Sequence, residues 1–283
     1  MSRVSDSSAA GASRHVPLIC TIGDLNLDVV VLPRAPLMPD GDTPATIRLA
    51  AGGQAANVAA WSAHLGARAR LICARGTDPA AAFAAGELSA RGVELCGPVI
   101  EGSGGIVVST REVDGARTMA SDAGVAALLA ADSIDPAWVR DADVLHVSGY
   151  CLLRPAQAQA AIAAAAAASR VTLDLASAQD IELFGVDRFR SLVSAVGPEV
   201  IFANEAERAV LADLPAQWVI KLGAGGAVFP EGRFPSLPVG VVDTTGAGDA
   251  LAAGYLVGGP QLAMRAAAQC VQEVGAVPHS RLS

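Results

Sequence analysis

A three-layer α/β architecture is predicted for this 283-residue chain: a mostly parallel central sheet, helices on both faces and a small β lid. Short apolar runs alternate with longer Ala-rich, helix-prone segments almost throughout. Strands alternating with helices of that length form parallel sheets covered on both faces. No linker is long enough to split the chain and no internal repeat is present, so residues 17–283 read as one domain. Two stretches place strand pairs where a helix is due, and these supply the lid.

The first sixteen residues, "MSRVSDSSAAGASRHV", are small and polar. They lack the apolar core of a signal peptide and read as a flexible tail, which points to a cytoplasmic protein. "PLICTIGD" (17–24) is a strand ending in Gly-Asp. "LDVVVLPRAPLMPDGDTPATIRLAAGG" (27–53) carries β-branched runs about a Pro-rich turn, and its strands over about 30–50 form half of the lid. "GGQAANVAAWSAHLGA" (52–67) is a helix opened by glycines and closed by Gly66. The strand "RARLICARG" (68–76) and the helix "DPAAAFAAGELSARG" (78–92) follow.

"GGIVVSTREVDGARTMASD" (104–122) reads as a hairpin turning at "VDGAR", the other half of the lid at about 105–121. Next come the strand "DVLHVSG" (143–149), the helix "RPAQAQAAIAAAAAASR" (154–170) and the strand "VTLDLAS" (171–177). The run Ala160–Ala168 is low in complexity, but Ala has the best helix propensity and packs closely on a sheet. "EVIFAN" (199–204) leads into the helix "EAERAVLA", and a strand-like stretch at 239–242 leads into the Ala-rich C-terminal segment.

Hydrophobic residues make up 52% of the chain and charged residues 17%, which makes a folded globular protein the default. Every apolar stretch of membrane-spanning length is broken by Gly, Pro or charge, so no membrane partner is expected. Cys20, Cys73, Cys96, Cys151 and Cys270 are odd in number and never in Cys-x-x-Cys spacing. That argues against zinc and against a disulfide framework. The net charge of −8 and the lack of a Lys/Arg cluster argue against nucleic acid. A nucleotide is still compatible, because backbone dipoles bind phosphate even on an acidic protein. His15, His64, His146 and His279 have no metal-ligand spacing, and Trp61, Trp138 and Trp218 read as core or interface.

Chemistry concentrates in "VVDTTGAGDALAAGYL" (241–256), where Gly246, Ala247 and Gly248 straddle a helix N-terminus. Unpaired N–H groups there, with the positive helix end behind them, suit the developing charge of a transferred phosphoryl group. Asp249 lies in the first turn, placed to take the proton of an attacking hydroxyl. Ordinary N-terminal capping by Asp is the competing reading of the same residues. The Gly-x-Gly of this run is not a dinucleotide fingerprint, since no βαβ unit with a ribose-binding acid follows it. A Walker-type Gly-Lys-Ser/Thr is absent from the sequence.

The run resembles the C-terminal signature of the ribokinase-like (PfkB) carbohydrate kinases, D-T-x-G-A-G-D. "AGGQAANVAAWSAHLGA" resembles that family's N-terminal signature, and "NEAE" (204–207) resembles its Asn-x-x-Glu motif. Three motifs in order and at wide spacing make the match specific over about residues 17–280. The resemblance implies a ribokinase-like fold and transfer of the γ-phosphoryl group of ATP to a hydroxyl of a sugar or sugar-like acceptor. Magnesium would be the cofactor. It implies Asp249 as base, Gly246–Gly248 as anion hole, and Asn204 and Glu207 near the triphosphate, with Glu207 reaching the metal through water. Lys221 and Gly223 of "KLGAGG", with Thr245, match nucleotide-site positions, and Asp243 with Thr245 match a loop that binds a monovalent cation such as K⁺ in many members.

On the acceptor side, Asn26 and Asp28 of "GDLNLD" share one face of an extended segment, as alternate strand residues do. A carboxylate there accepts from two neighbouring hydroxyls, which suits a diol. The resemblance implies sugar contacts for both, and acceptor-site positions for Gly53, Gln54 and Asn57. The ribokinase form has Lys-Gly where this chain has Gln54 and Ala55, and an acid near "HVSGY" that this chain lacks, so ribose itself is not the expected acceptor. A nucleoside kinase and a catalytically silent sugar- or nucleotide-binding regulator are the alternatives. Arg48, Arg111 and Arg117 lie in the lid stretches, either facing solvent or pairing with an acidic substrate group. Exposed lid edges also predict a homodimer.

Overall fold

The structure is a computed structural model that describes residues 15–111 and 117–278. The proposed tail therefore lies outside the described residues up to position 14, as do most of the "VDGAR" turn, the side chains of Arg111 and Arg117, and His279.

In chain order the elements are β1 (Leu18–Ile22), β2 (Asn26–Pro33), β3 (Ala45–Gly52), α1 (Gln54–His64), β4 (Arg68–Ile72), α2 (Pro79–Ala90) and β5 (Val93–Cys96). They continue with β6 (Gly105–Arg111), β7 (Arg117–Asp122), α3 (Ala137–Arg140), β8 (Val144–Ser148), α4 (Pro155–Ala167) and β9 (Val171–Asp174). The last are α5 (Ala178–Phe184), α6 (Val186–Val196), β10 (Val200–Asn204), α7 (Glu205–Val210), β11 (Gln217–Lys221), β12 (Ala227–Phe229), β13 (Gly232–Phe234) and α8 (Ala247–Cys270).

Nine strands form the main sheet in the order β13-β12-β11-β10-β9-β8-β1-β4-β5, parallel except for the β12–β13 edge. Its central strands β1, β4, β8, β9 and β10 are almost wholly buried, so they read as near-continuous apolar runs. Leu18, Cys20 and Ile22 of β1 face the layer that includes α4 and α6. On the other face, α1 and α8 pack on Phe202 and Val219, while α1 and α2 pack on Leu71. The Ala-rich segments let these helices sit close to the sheet. Residues 239–242 are not a strand, contrary to their β-branched composition. Val241 and Val242 are exposed, and the N–H groups of Val242 and Asp243 donate to the Val271 carbonyl after α8 rather than to a neighbouring strand.

The lid stretches form a separate four-stranded sheet, β3-β2-β6-β7. Here β2 pairs antiparallel with β3 and parallel with β6, and β6 with β7 closes the hairpin. Chain order reverses around β1, whose neighbours are β8 on one side and β4 on the other. Open α/β sheets bind ligands outside the carboxyl ends of their strands at such a switch point. Asp24, Ser148, Asp174, Asn204 and Lys221 all stand at those ends.

Candidate active site

Two clefts meet at the N-terminus of α8. One, of about 450 Å³, lies between the lid and the strand ends and is lined by Asn26, Asp28, Gly53, Gln54, Asn57, Gly246 and Asp249. Val107, Met119 and Ser121 of β6 and β7 line it from the lid, so both halves of the small sheet border this cleft. The other, of about 560 Å³, is lined by Lys221, Gly223, Ala247 and Gly248, and by an apolar wall of Leu237, Pro238, Val239, Met264 and Val271. Backbone geometry interrupts α8 at Gly258 and Gly259, just ahead of Pro260, and the half after the break supplies part of that wall.

Gly246 ends the loop with φ of 77° and a Cβ there would fall 2.5 Å from Ala276 Cα. Only glycine lets the chain turn so sharply into α8. No side chain caps this helix end. Asp249, in the first turn, instead accepts a 2.7 Å hydrogen bond from Asn57 Nδ2. Asn57 is 5% exposed and comes from α1, so two helix starts 192 residues apart converge on one carboxylate. At Gly53, φ is 103° and a Cβ would lie 2.4 Å from the Asp24 carbonyl, which brings the α1 N-terminus tight against the end of β1.

Gln54 is held between strand ends: its Nε2 donates to the Leu175 carbonyl at 3.2 Å and its Oε1 accepts from Ser148 Oγ at 2.6 Å. Arg154 donates from Nη1 to Asp24 at 2.5 Å and to Gln157 at 3.0 Å, on the rim of the cleft under the lid. Lys221 Nζ donates to Asp174 Oδ1 at 2.6 Å.

Asn204 and Glu207 form a capping box at the start of α7: Asn204 Oδ1 accepts from the Glu207 N–H, and Glu207 accepts from the Asn204 N–H and Nδ2. Neither lines the two clefts, although Asn204 is in register with Lys221. Thr245 borders the cleft under the lid rather than the one lined by Lys221, and Thr244 takes the place there. Asp243 Oδ1 accepts from the Thr245 N–H and hydroxyl, and its Oδ2 accepts from the Gly275 N–H, so this acid ties its loop to residue 275. Arg48 is exposed and lines neither cleft.

Burial pushes the Asp249 carboxyl up to about 7, and the like charge of Asp174 adds to the rise against the opposing Asn57 hydrogen bond and Lys221 ammonium. Burial likewise raises Glu207 to about 7. Burial works against the Lys221 charge, but Asp174, Glu207 and Asp249 outweigh it and keep the ammonium protonated. A half-buried carboxylate with proton affinity near neutrality, beside a helix N-terminus that no side chain caps, is equipped to accept a hydroxyl proton while the positive helix end stabilises charge. Among the described residues no cluster of three His, Cys, Asp or Glu gathers as a metal site. No helix there is long and apolar enough to cross a membrane.

The sequence profile described as pfkB family carbohydrate kinase matches residues 16–279. The chain belongs to that family. This carbohydrate kinase is 34% identical over 257 residues to an ATP-dependent ribose-1-phosphate kinase from Halopiger xanaduensis, covering 84% of this chain and 83% of the other. The kinase also shares its fold with adenosine kinase from Sinorhizobium meliloti, at a TM-score of 0.80, 22% identity and coverage of 94% and 97%. A putative ribokinase II from E. coli, in complex with ATP and Mg²⁺, superposes at a TM-score of 0.78, with 20% identity and coverage of 92% and 94%.

Several residues of the carbohydrate kinase's clefts carry no motif. Ser148, Tyr150, Arg154 and Asp180 join the cleft under the lid from β8 and the segments after it, and Met264 and Val271 join the other from α8 and the turn after it. One of the missed residues had a signal: the acid of "VTLDLAS", Asp174, interrupts an otherwise apolar strand that parallel packing buries on both faces.

Proposed function

We propose that Asp249 is the general base of an ATP-dependent transfer of the γ-phosphoryl group to a neutral, polyhydroxylated acceptor, a sugar or a nucleoside. The observation that carries this reading is the 2.7 Å bond from Asn57 to Asp249, which orients a base whose proton affinity burial has raised towards neutrality. The acceptor hydroxyl faces Asp249, its proton passes to the Asp249 carboxylate, its oxygen attacks the γ-phosphorus, and the bond from that phosphorus to the β–γ bridging oxygen breaks to release ADP. The N–H groups of Gly246, Ala247 and Gly248 receive the charge of the transferred group. Asn26, Asp28, Gln54 and Asn57 hold the neighbouring hydroxyls, and the lid strands keep water from competing as nucleophile. Magnesium, when bound, neutralises phosphate charge and aligns the γ-phosphoryl group. Glu207, whose oxygens cap α7, would meet it only through water. Potassium beside Asp243 is the monovalent ion this loop would take.

The acceptor-side cleft carries Asp24, Asp28, Asp180 and Asp249 against Arg154, whose charge Asp24 already engages. That balance disfavours a phosphorylated acceptor. Val107, Met119 and Tyr150 give the same cleft an apolar side that suits a base, which is the observation favouring the nucleoside reading. A panel of sugars, ribose 1-phosphate and nucleosides, assayed by ADP release with and without magnesium and potassium, tests the reading. ADP release on a neutral sugar or nucleoside is the expected result. Preference for the sugar phosphate would overturn the charge argument, and nucleotide binding without turnover on any acceptor would identify a silent regulator.

The pH profile follows from the raised carboxyl. A base must be unprotonated, so kcat/KM for the acceptor should rise about tenfold per unit up to roughly pH 7 and level off above it. A profile flat from pH 5 to 8 would remove Asp249 from the rate-determining proton transfer. The lid also exposes Ile47 at 61% and Leu49 at 52% on β3, an edge strand. Burying such an edge favours pairing with a second copy. Light scattering should give twice the monomer mass, and I47K/L49K should return it to one.

A further inference from the structure

Asp174 closes β9 with no exposed surface, and Lys221 closes β11, with β10 running between them. Phe202 is in register with Asp174 and Asn204 with Lys221, so the lysine reaches back across β10 to make its 2.6 Å bond. Asp174 Oδ2 has no hydrogen-bond partner among the described residues. Buried ion pairs are weak stabilisers, because desolvation consumes most of the Coulombic gain. A pair with one unpaired oxygen is a poorer one still, and its presence asks for another reason.

The geometry supplies one. Lys221 Nζ lies 3.3 Å from the point where a Cβ on Gly248 would project, and Lys221 lines the nucleotide-side cleft beside that glycine. A lysine stem has rotamer entropy to lose when it is held in one place. Its ammonium has three donors, so one can stay on Asp174 while others turn to incoming phosphate oxygens.

We propose that Asp174 is a positioning residue for phosphoryl transfer, holding the Lys221 ammonium under Gly248, where the ammonium meets the γ-phosphoryl oxygens of the nucleotide. Before nucleotide arrives, the carboxylate keeps the ammonium from being buried alone. During transfer, charge spreads over the equatorial oxygens of the moving group, and the ammonium is already in place to face them. The inference rests on the kinase reading given above.

The test uses calorimetric affinities of the full chain for magnesium AMP-PNP and for magnesium ADP, which differ in the γ-phosphoryl group. Binding of MgADP by the parent reports the kinase reading, and the ratio of the two affinities reports the inference. Lys221→Met should lower the preference for AMP-PNP about 10–100-fold while leaving MgADP within about threefold, the size of one hydrogen bond between charged groups. Asp174→Ala should lower the preference in the same direction. Charge alone would raise it, since a carboxylate near the phosphate has been removed. In the double variant the preference should fall no further than in Lys221→Met, because Asp174 acts only through the lysine.

An unchanged preference in Lys221→Met overturns the proposal, as does an equal loss for both nucleotides. An unchanged or raised preference in Asp174→Ala overturns the role of Asp174. Should Asp174→Ala fail to fold, Asp174→Asn takes its place: its amide oxygen still accepts from the ammonium, so its preference should fall between those of the parent and Lys221→Met. A preference above the parent's would sink the positioning role. A parent that binds no MgADP overturns both the inference and the reading beneath it.

Discussion

Asp249→Asn should lower turnover by about 10²–10⁴-fold, the usual loss when a general base is removed. The substitution keeps shape and leaves an oxygen for the 2.7 Å bond from Asn57, so nucleotide and acceptor affinities should change little. The same variant carries a stability signature of opposite sign. Asp249 in the folded chain holds its proton up to about 7, above the ordinary carboxylate range. A carboxyl raised in this way costs no stability while folded and unfolded forms are both protonated. It destabilises progressively as pH rises through the interval up to its folded value. Asp249→Asn should therefore melt higher than the parent at pH 8, with the gap closing towards pH 4. Near-normal turnover would dismiss the base assignment, and a lower melting temperature at pH 8 would dismiss the raised carboxyl.

Gly246→Ala is the second large effect. Its backbone sits at φ 77°, and the new methyl would come within 2.5 Å of Ala276 Cα. Relief requires the loop to move away from residue 276, and the first N–H groups of α8 move with it. Misplacing one donor of such a hole costs about 10²–10³ in turnover, and holding a non-glycine residue at positive φ costs of order 1–3 kcal/mol in stability. Gly86→Ala, in the middle of α2 with nothing near its projected Cβ, is the control. It should stabilise by about 0.4–1 kcal/mol with activity intact. Comparable kcat in Gly246→Ala and Gly86→Ala would show that the turn at Gly246 does not position the anion hole.

Much of this molecule is legible along the chain because its strands and helices announce themselves locally. β1, β4, β8, β9 and β10 are short apolar runs, and α1, α2 and α4 are the Ala-rich stretches between them. The lid was legible for the converse reason, as two β-branched stretches where helices were due. The failure at 239–242 shows the limit of local composition. Valines favour a strand only if a strand pairs with them, and here the backbone N–H groups of Val242 and Asp243 go to the Val271 carbonyl beyond α8. The elements β5, α3, α5, α6, β12 and β13 carry no sequence motif.

The Gly-Ala-Gly-Asp turn, the early Gly-Gly helix and the Asn-x-x-Glu pair could be recognised from sequence alone, because each is a contiguous stretch whose chemistry depends on neighbours a few residues away. What joins them could not. Asn57 meets Asp249 across 192 residues, Lys221 meets Asp174 across 47, and Arg154 meets Asp24 across 130. A linear sequence states no distance between such residues. The order in which strands enter the sheet decides which carboxyl ends become neighbours, and the desolvation of those ends decides their charge. Sequence by itself determined the parts, the fold class and the phosphoryl-transfer chemistry of this chain. Tertiary structure alone decided the Asn57–Asp249 hydrogen bond, the buried Asp174–Lys221 pair near Gly248 and the charge balance of the cleft under the lid, because each is an interaction through space between residues the chain keeps far apart.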